Sequence, residues 1–355
     1  MTQDIAIIGA GIAGLTLAFE LLQAGYKVRV GERLSLQEHA EATSFAAGGM
    51  LAPWSELESA ELLVHELGQE SLVLWPAILK ELELPVFYRQ AGSLIVAHSR
   101  DRALFEQVAR RITQKASGDH WQWVYPRDLE PEIESSLDKG LYLPQEAHLD
   151  NRALLVALRT YVSQHSRGSL VFGEDWSAEP SGIYRTPRGL ETADWVIDAR
   201  GTGAIDLWPE LRAVRGEGIL LRAPGVKIAR PIRVMHPRYA VYIVPREDQH
   251  YYVGATSIES SSRAPVTVRS TLELLSAAYA THKGFGEATV LAMLHGLRPA
   301  LPHHRPEIVI EGRRLRLNGL YRHGFLLAPA LAKQVRFSLE QGGTETASLP
   351  WCSSP

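Results

Sequence analysis

The segment IAIIGAGIAGL, Ile5 to Leu15, constrains this chain more than any other stretch of it. A hydrophobic run, Asp4 to Ile8, leads into three glycines in G-x-G-x-x-G spacing. A helical pattern follows from Ile12 to Gln23 and is closed by Gly25. Between strand and helix, each glycine has a physical task. Gly9 permits the tight turn, and Gly11 lets the backbone approach a pyrophosphate. Gly14 lets helix and strand pack closely, while the helix N-terminus, at Ile12 and Ala13, faces the anion. Glu32 closes a second strand that begins at Lys27. A carboxylate there can accept from both ribose hydroxyls and would repel a 2′-phosphate, so a dinucleotide other than NADP is expected. The loop alone does not separate NAD from FAD.

Other segments bear on that choice. ATSFAAGGMLAP, Ala42 to Pro53, is a run of small residues. Thr43 and Ser44 supply hydroxyls, Gly48 and Gly49 expose backbone amides, and a flat ring could lie against such a chain. Phe45, Met50, Leu51 and Trp54 argue for burial rather than a loose surface loop. In ADWVIDARGTGA a strand runs into a second glycine turn, offering Ala199 and Gly201 as further backbone contacts.

The chain has 355 residues, 45% of them apolar and 22% charged, which suits a globular protein of two domains. A net charge of −3 gives no basic field, so nucleic acid is not an expected partner. No apolar run approaches the ~20 residues of a membrane span, and no membrane partner is expected. Cys352 is the only cysteine, which excludes an intramolecular disulfide and cysteine-based metal sites. His303 and His304 are adjacent, point different ways and lack a third ligand at clear spacing, so no metal is expected. With no leader expected ahead of the strand at Ile5, a cytoplasmic location is the default.

The pattern along the chain is mixed. Glu56 to Leu82 reads as mostly helical, Phe87 to Ala97 as strand, Arg102 to about Gln114 as helix, and Leu154 to Gln164 as helix. Short β-rich runs dominate from Ala213 to Thr256. From Gly296 onward turns lead to a strand near Gly319 and an apolar helix after Pro329. Arg313-Arg314-Leu315-Arg316 and Arg110-Arg111 read as solvated faces. The expected fold class is α/β, in a two-domain α+β arrangement. A Rossmann-like nucleotide domain takes 1–85, 145–210 and 296–355; a discontinuous antiparallel-sheet substrate domain takes 86–144 and 211–295.

Taken in order, GAGIAGL, Glu32-Arg33, AAGGML, VRGE at Val214–Glu217, YIVPR at Tyr242–Arg246, VGAT at Val253–Thr256, GLRP at Gly296–Pro299 and YRHGFLLAP at Tyr321–Pro329 resemble the D-amino acid oxidase family of flavoproteins. Within it the likeness is to the glycine oxidases of thiamine biosynthesis. The resemblance implies FAD, bound noncovalently since Cys352 lies outside every matching motif. It implies adenine contacts at Gly9 to Gly14, Glu32-Arg33 and Trp176, and flavin contacts at Thr43, Ser44, Gly49 and Met50. The turn His323, Gly324, Phe325, Leu326 and Leu327 would meet the flavin's pyrimidine edge. Arg298 matches the carboxylate-binding arginine, Tyr242 its tyrosine partner, and Arg322 a further site residue of the glycine oxidase branch.

The residue chemistry agrees with that mapping. A planar guanidinium binds a carboxylate bidentately, and Arg298 is restrained by Pro299. Helix-start amides near Gly324 would stabilise negative charge on a reduced flavin. The expected reaction is hydride transfer from the α-carbon of a small amino acid or amine to flavin N5, the amine being neutral and no general base being evident. Dioxygen would reoxidise the flavin and give peroxide. His323 reads as structural, with an influence on the oxygen half-reaction as the alternative. The chain departs from the family at Ser257, where methionine is frequent, and at Arg200 in the second glycine turn. Other readings are an FAD dehydrogenase that passes electrons to a quinone or partner protein, and a flavin-binding subunit without chemistry. An NAD-dependent dehydrogenase is disfavoured by AAGGML and GFLLAP. Self-association into a homo-oligomer is left open.

Overall fold

A computed structural model describes residues 2–116, 118–235 and 240–342; Cys352 lies outside them. Strand β1 (Asp4–Ile8), helix α1 (Ile12–Gln23) and strand β2 (Lys27–Glu32) follow one another as the sequence predicts. β1 pairs in parallel with β2 on one side and with Trp195–Asp198 on the other. The six-stranded sheet runs Glu307–Glu311, Arg314–Asn318, Trp195–Asp198, β1, β2, Gly168–Phe172. Ile5, Ala6 and Ile7 are wholly buried, because helices or sheet cover both faces of a central parallel strand. Gly9 adopts φ +106°, and a Cβ on Gly14 would overlap the Gly9 carbonyl, so helix and turn meet backbone to backbone.

Helix α2 is a single turn, Pro53–Glu56, and a separate helix spans Leu62–Glu81. The stretch Glu56 to Leu82, which reads as mostly helical, is so from Leu62 on; Ser59 and Ala60 both close back onto the Glu56 carbonyl and Glu61 is extended, which separates the two helices. The strand expected over Phe87 to Ala97 is likewise two short ones, Tyr88–Arg89 and Ser93–Val96, separated by Gly92 at φ +73°.

The second sheet has nine strands and is mostly antiparallel. Its long members are β3 (Arg212–Arg222), β4 (Val241–Pro245), β5 (His250–Gly254) and β6 (Thr289–Ala300). β3 is central: β5 and Ile258–Glu259 share one of its edges, and β6 follows the other throughout. Gly296 to Pro299 therefore belong to a strand, not to the expected turns. Pro299 is tolerated because β6 is a sheet edge. Its carbonyl points outward to accept from the Tyr321 N–H (2.9 Å), so the missing proline N–H costs no ladder bond. A cut at residue 296 passes through β6.

Helix α3 (Gly324–Glu340) packs on α1 and on Leu62–Glu81. It begins at Gly324, where helix-start amides are expected, although the apolar helical pattern reads only after Pro329. Pro329 sits inside it and removes the N–H that would bond the Phe325 carbonyl; the Trp75 indole N–H donates to that carbonyl instead (2.9 Å). The Arg314–Arg316 run is not a solvated face: both arginines are largely buried and pair with Glu311. Among the described residues no helix is long and apolar enough to cross a membrane.

Candidate active site

A cavity of about 540 Å³ is lined by both sheets and by the loops that join them. One wall is the start of α1. Gly11 is its N-cap and gives no side-chain cap, α1 has no acid in its first turn, and among the described residues the Ile12 N–H alone of these finds a side-chain partner, the Ser44 hydroxyl (3.1 Å). The opposite end is the start of α3, where His323 likewise gives no side-chain cap. Two helix N-termini thus direct free N–H groups and positive dipole ends into one space. Glu32 lies buried beside the first. Its two oxygens accept from the Ala10 N–H (2.8 Å) and the Leu34 N–H (3.0 Å), and each keeps a lone pair for a further donor. Trp176 lies flat on the backbone of Gly31, where a Cβ would overlap its ring.

The Thr43–Met50 loop is held from three sides. Asn151 donates to the Ser44 and Phe45 carbonyls (2.8 and 3.2 Å), and Arg246 donates to the Gly48 carbonyl (2.8 Å) and to Leu149. The Thr43 hydroxyl donates to the Leu297 carbonyl and accepts from its N–H, both at 3.1 Å. That clasp ties the loop to β6, one residue before Arg298. A side chain on Gly296 would press on Thr43, which lies about 3.0 Å from the place of its Cβ.

Arg298, Tyr242 and Arg322 all line this cavity. The Arg298 guanidinium rests on the backbone of Gly216, where a Cβ would overlap it. Arg298 makes no hydrogen bond or ion pair with any described residue. Burial pulls it below the usual arginine range, with Arg322 adding to the effect and Tyr252 opposing it. Such a cation is stabilised by an incoming anion. Arg322 differs, since Glu56 accepts from it at 2.7 and 3.2 Å. Burial alone would raise the Glu56 carboxyl, but Arg322, with His323 and Arg233, holds it at about 2. Burial pushes His323 down to about 4 against the pull of Glu56, so its imidazole is neutral at pH 7. Arg233 lies 5.5 Å from the Tyr242 ring centre and pairs with Glu58.

Behind α2 stands Glu146, wholly buried. Its carboxyl accepts from the Ser55 N–H (2.6 Å), the Ser55 hydroxyl (2.8 Å) and the Ser93 hydroxyl. Burial pushes it up to about 7 despite these bonds, and Glu56 adds to the rise.

Gly9, Gly11, Ile12, Ala13, Glu32, Arg33, Thr43, Ser44 and Gly48 to Met50 line the cavity, as do Trp176, Ala199, Gly201 and the segment His323 to Leu326. Gly14 and Leu327 lie behind the wall instead. Gly14 faces the Gly9 turn, and Leu327, one turn into α3, is buried in the core. Arg200 is taken by Asp198 (2.7 Å) and Asp206 (3.1 Å). His303 bonds Glu307 and His304 bonds Arg212. Tyr252, not singled out from the sequence, also lines the cavity. Its ring covers Gly218 and Gly254, paired across β3 and β5, where side chains would collide with it. Glycines facing each other in two central strands are the signal that could have found it.

The lining fits an extended FAD: a carboxylate for a ribose, open helix ends for phosphate and flavin, and bare backbone for flat rings. Comparison with known proteins agrees. The model of the DAO family, described as FAD dependent oxidoreductase, matches residues 4–336. A Rhizobium etli protein provisionally named thiamine biosynthesis oxidoreductase ThiO is 42% identical over 346 residues, 96% of this chain and 98% of that one. Glycine oxidase of Geobacillus kaustophilus is 26% identical over 98% of this chain and 96% of its own. The crystal structure of a glycine oxidase from that organism superposes with a TM-score of 0.85, covering 98% of this chain and 96% of its own at 24% identity.

Proposed function

The chain belongs to the DAO family of FAD-dependent oxidoreductases, and from that membership we propose that it oxidises glycine or another small amino acid or secondary amine. The observation that carries this reading is Arg298: a half-buried guanidinium, unpaired among the described residues, laid on Gly216 inside the cavity that fits the cofactor. Bound FAD supplies the acceptor for a hydride from the substrate α-carbon and, with dioxygen, returns the electron pair as hydrogen peroxide. The imino acid so released hydrolyses in water to an oxo acid and ammonia, or to an oxo acid and a primary amine where the substrate is a secondary amine.

The chain's own residues divide the remaining work. Arg298 takes the substrate carboxylate, a charge-assisted pair worth roughly 1.5–3 kcal/mol net. Tyr242 donates a second bond to it. Arg322, kept in place by Glu56, adds positive potential without competing for the same anion. The lining carboxylates Glu56 and Glu58 are engaged by Arg322 and Arg233, and burial makes the neutral His323 imidazole a weak base, so the amine enters neutral and catalysis rests on orientation and preorganised charge. Glu32, Arg33, Trp176, Ala199 and Gly201 hold the adenosine end, and the start of α1 the pyrophosphate. Thr43 to Met50 and the amides of Gly324 to Leu326 hold the flavin without a covalent bond. The six-stranded sheet unit would thus carry FAD and the nine-stranded sheet unit the substrate. Kinship with a thiamine biosynthesis oxidoreductase supports a place in that pathway.

Anaerobic mixing of the FAD-bound protein with glycine, sarcosine and small D-amino acids tests the reading. Bleaching of the visible flavin band is expected, with peroxide on admitting air. Bleaching without peroxide would make the protein a dehydrogenase, and no bleaching with any amine would leave a flavin-binding subunit. Arg298→Ala should raise the half-saturating substrate concentration tenfold or more with FAD retained, since ~1.4 kcal/mol is a factor of ten. Unchanged steady-state kinetics in that variant would remove the clamp.

A further inference from the structure

Among the described residues six arginines line the cavity: Arg33, Arg200, Arg233, Arg263, Arg298 and Arg322. Three are already matched by protein acids. Arg200 pairs with Asp198 and Asp206, Arg233 with Glu58, and Arg322 with Glu56. Arg33 follows Glu32 and lies 3.8 Å from the place of a Cβ on Gly203, in the second glycine turn, which puts it at the nucleotide end. Arg298 awaits a carboxylate. Arg263 is left, with no hydrogen bond or ion pair to any described residue.

Arg263 is exposed, yet the segment bearing it is not loose. The Arg215 guanidinium, 5% accessible and bonded twice to Glu217 (2.6 and 2.9 Å), donates to the Ser262 carbonyl (2.8 Å) and to the Pro265 carbonyl (3.0 Å). Two serine hydroxyls close local turns around it: Ser260 accepts from the Ser262 N–H and Ser262 from the Ala264 N–H. One buried cation therefore grips the chain on both sides of Arg263. Arg215 belongs to β3 and adjoins Val214, the residue that faces Arg298 across the ladder. Among residues 258 to 267, Arg263 alone lines the cavity, and Ser257, a small polar side chain, lines it just before.

We propose that the substrate carries a second acidic group, bound by Arg263, beyond the carboxylate held by Arg298. This rests on Arg298 being the carboxylate clamp. A guanidinium carried on a fixed backbone and unmatched by protein charge has the fork geometry for a bidentate pair with a carboxylate or phosphonate. The favoured class is an amine bearing two acids, not one bearing an apolar side chain.

Unreactive acids titrated into the FAD-bound protein, read by the shift of the visible flavin band, test this. Malonate, succinate and glutarate are set against acetate, propionate and butyrate. At least one diacid should bind tenfold or more tighter than the monoacid of matching chain length. Arg263→Ala should bring that ratio to about one, and Arg263→Lys should restore part of it. A native protein without diacid preference, or a preference that survives Arg263→Ala, overturns the proposal. If no monoacid moves the band, the Arg298 clamp itself fails and the second subsite falls with it. Failure of the ratio alone leaves the clamp standing.

Discussion

Gly216 matters through the side chain it lacks. The Arg298 guanidinium occupies the space of its Cβ, and no positive φ is recorded there, so alanine suits the backbone but not the neighbour. Gly216→Ala should displace Arg298 and reproduce the tenfold or greater loss of Arg298→Ala, with FAD bound and the thermal midpoint nearly kept. Normal substrate saturation in this variant would show that the guanidinium does not need that bed. Arg298, Tyr242 and Arg322 could be singled out because their motifs are local in the chain. Gly216 stood inside a quoted motif, VRGE, but its task depends on a strand distant in sequence. Tyr252 escaped for the same reason: a tyrosine in a β-rich run looks like core until the glycines opposite it are known. Glu56 was invisible as the partner of Arg322, because their sequence separation of 266 is bridged only by the fold.

Local pattern predicted the elements well where one rule acted alone. β1, α1 and β2 show strand, glycine turn, helix and strand in unbroken succession, and the structure keeps those bounds nearly to the residue. It misled where prolines sit in regular structure. β6 absorbs Pro299 at an open edge, and α3 absorbs Pro329 because Trp75 takes over the freed Phe325 carbonyl. That exchange is testable. Trp75→Phe keeps a ring in the core but leaves a buried carbonyl without a donor, at a cost of about 1–3 kcal/mol. Urea denaturation should show the loss as a lower midpoint at unchanged slope. A midpoint equal to that of the native protein would mean water replaces the indole freely.

For the molecule as a whole, Glu146 sets part of the pH dependence of stability. Its carboxyl titrates near 7 when folded and near 4.5 when unfolded, so the folded chain binds the extra proton. The stability it contributes is full below about 4.5 and is lost as pH rises through about 7, roughly 3 kcal/mol over the window. Glu146→Gln cannot ionise. Its advantage over the native protein should widen from pH 5 to pH 8 in urea titrations; parallel curves would refute the assignment. His148, driven down to about 3 by burial with Arg246 and Arg89 nearby, acts on the acid side, its share being lost as pH falls from 6.5 toward 3. None of this could be read from the chain, because it arises where α2 closes over a strand far away in sequence. The alternation of helix-rich and β-rich stretches did show two sheets, though not that β6 would cross residue 296 to join the second.

The starts of α1 and α3 open toward one cleft, each equivalent to about half a positive charge. In a chain without its dinucleotide the open N–H groups at both poles are left to water. Phosphate oxygens at one and ring carbonyl oxygens at the other would accept from them, and binding to the native form alone shifts the folding equilibrium by mass action. A cell starved of flavin would then hold fewer surviving copies of this polypeptide, not just idle ones, and vitamin status would be written into protein abundance before any substrate arrived.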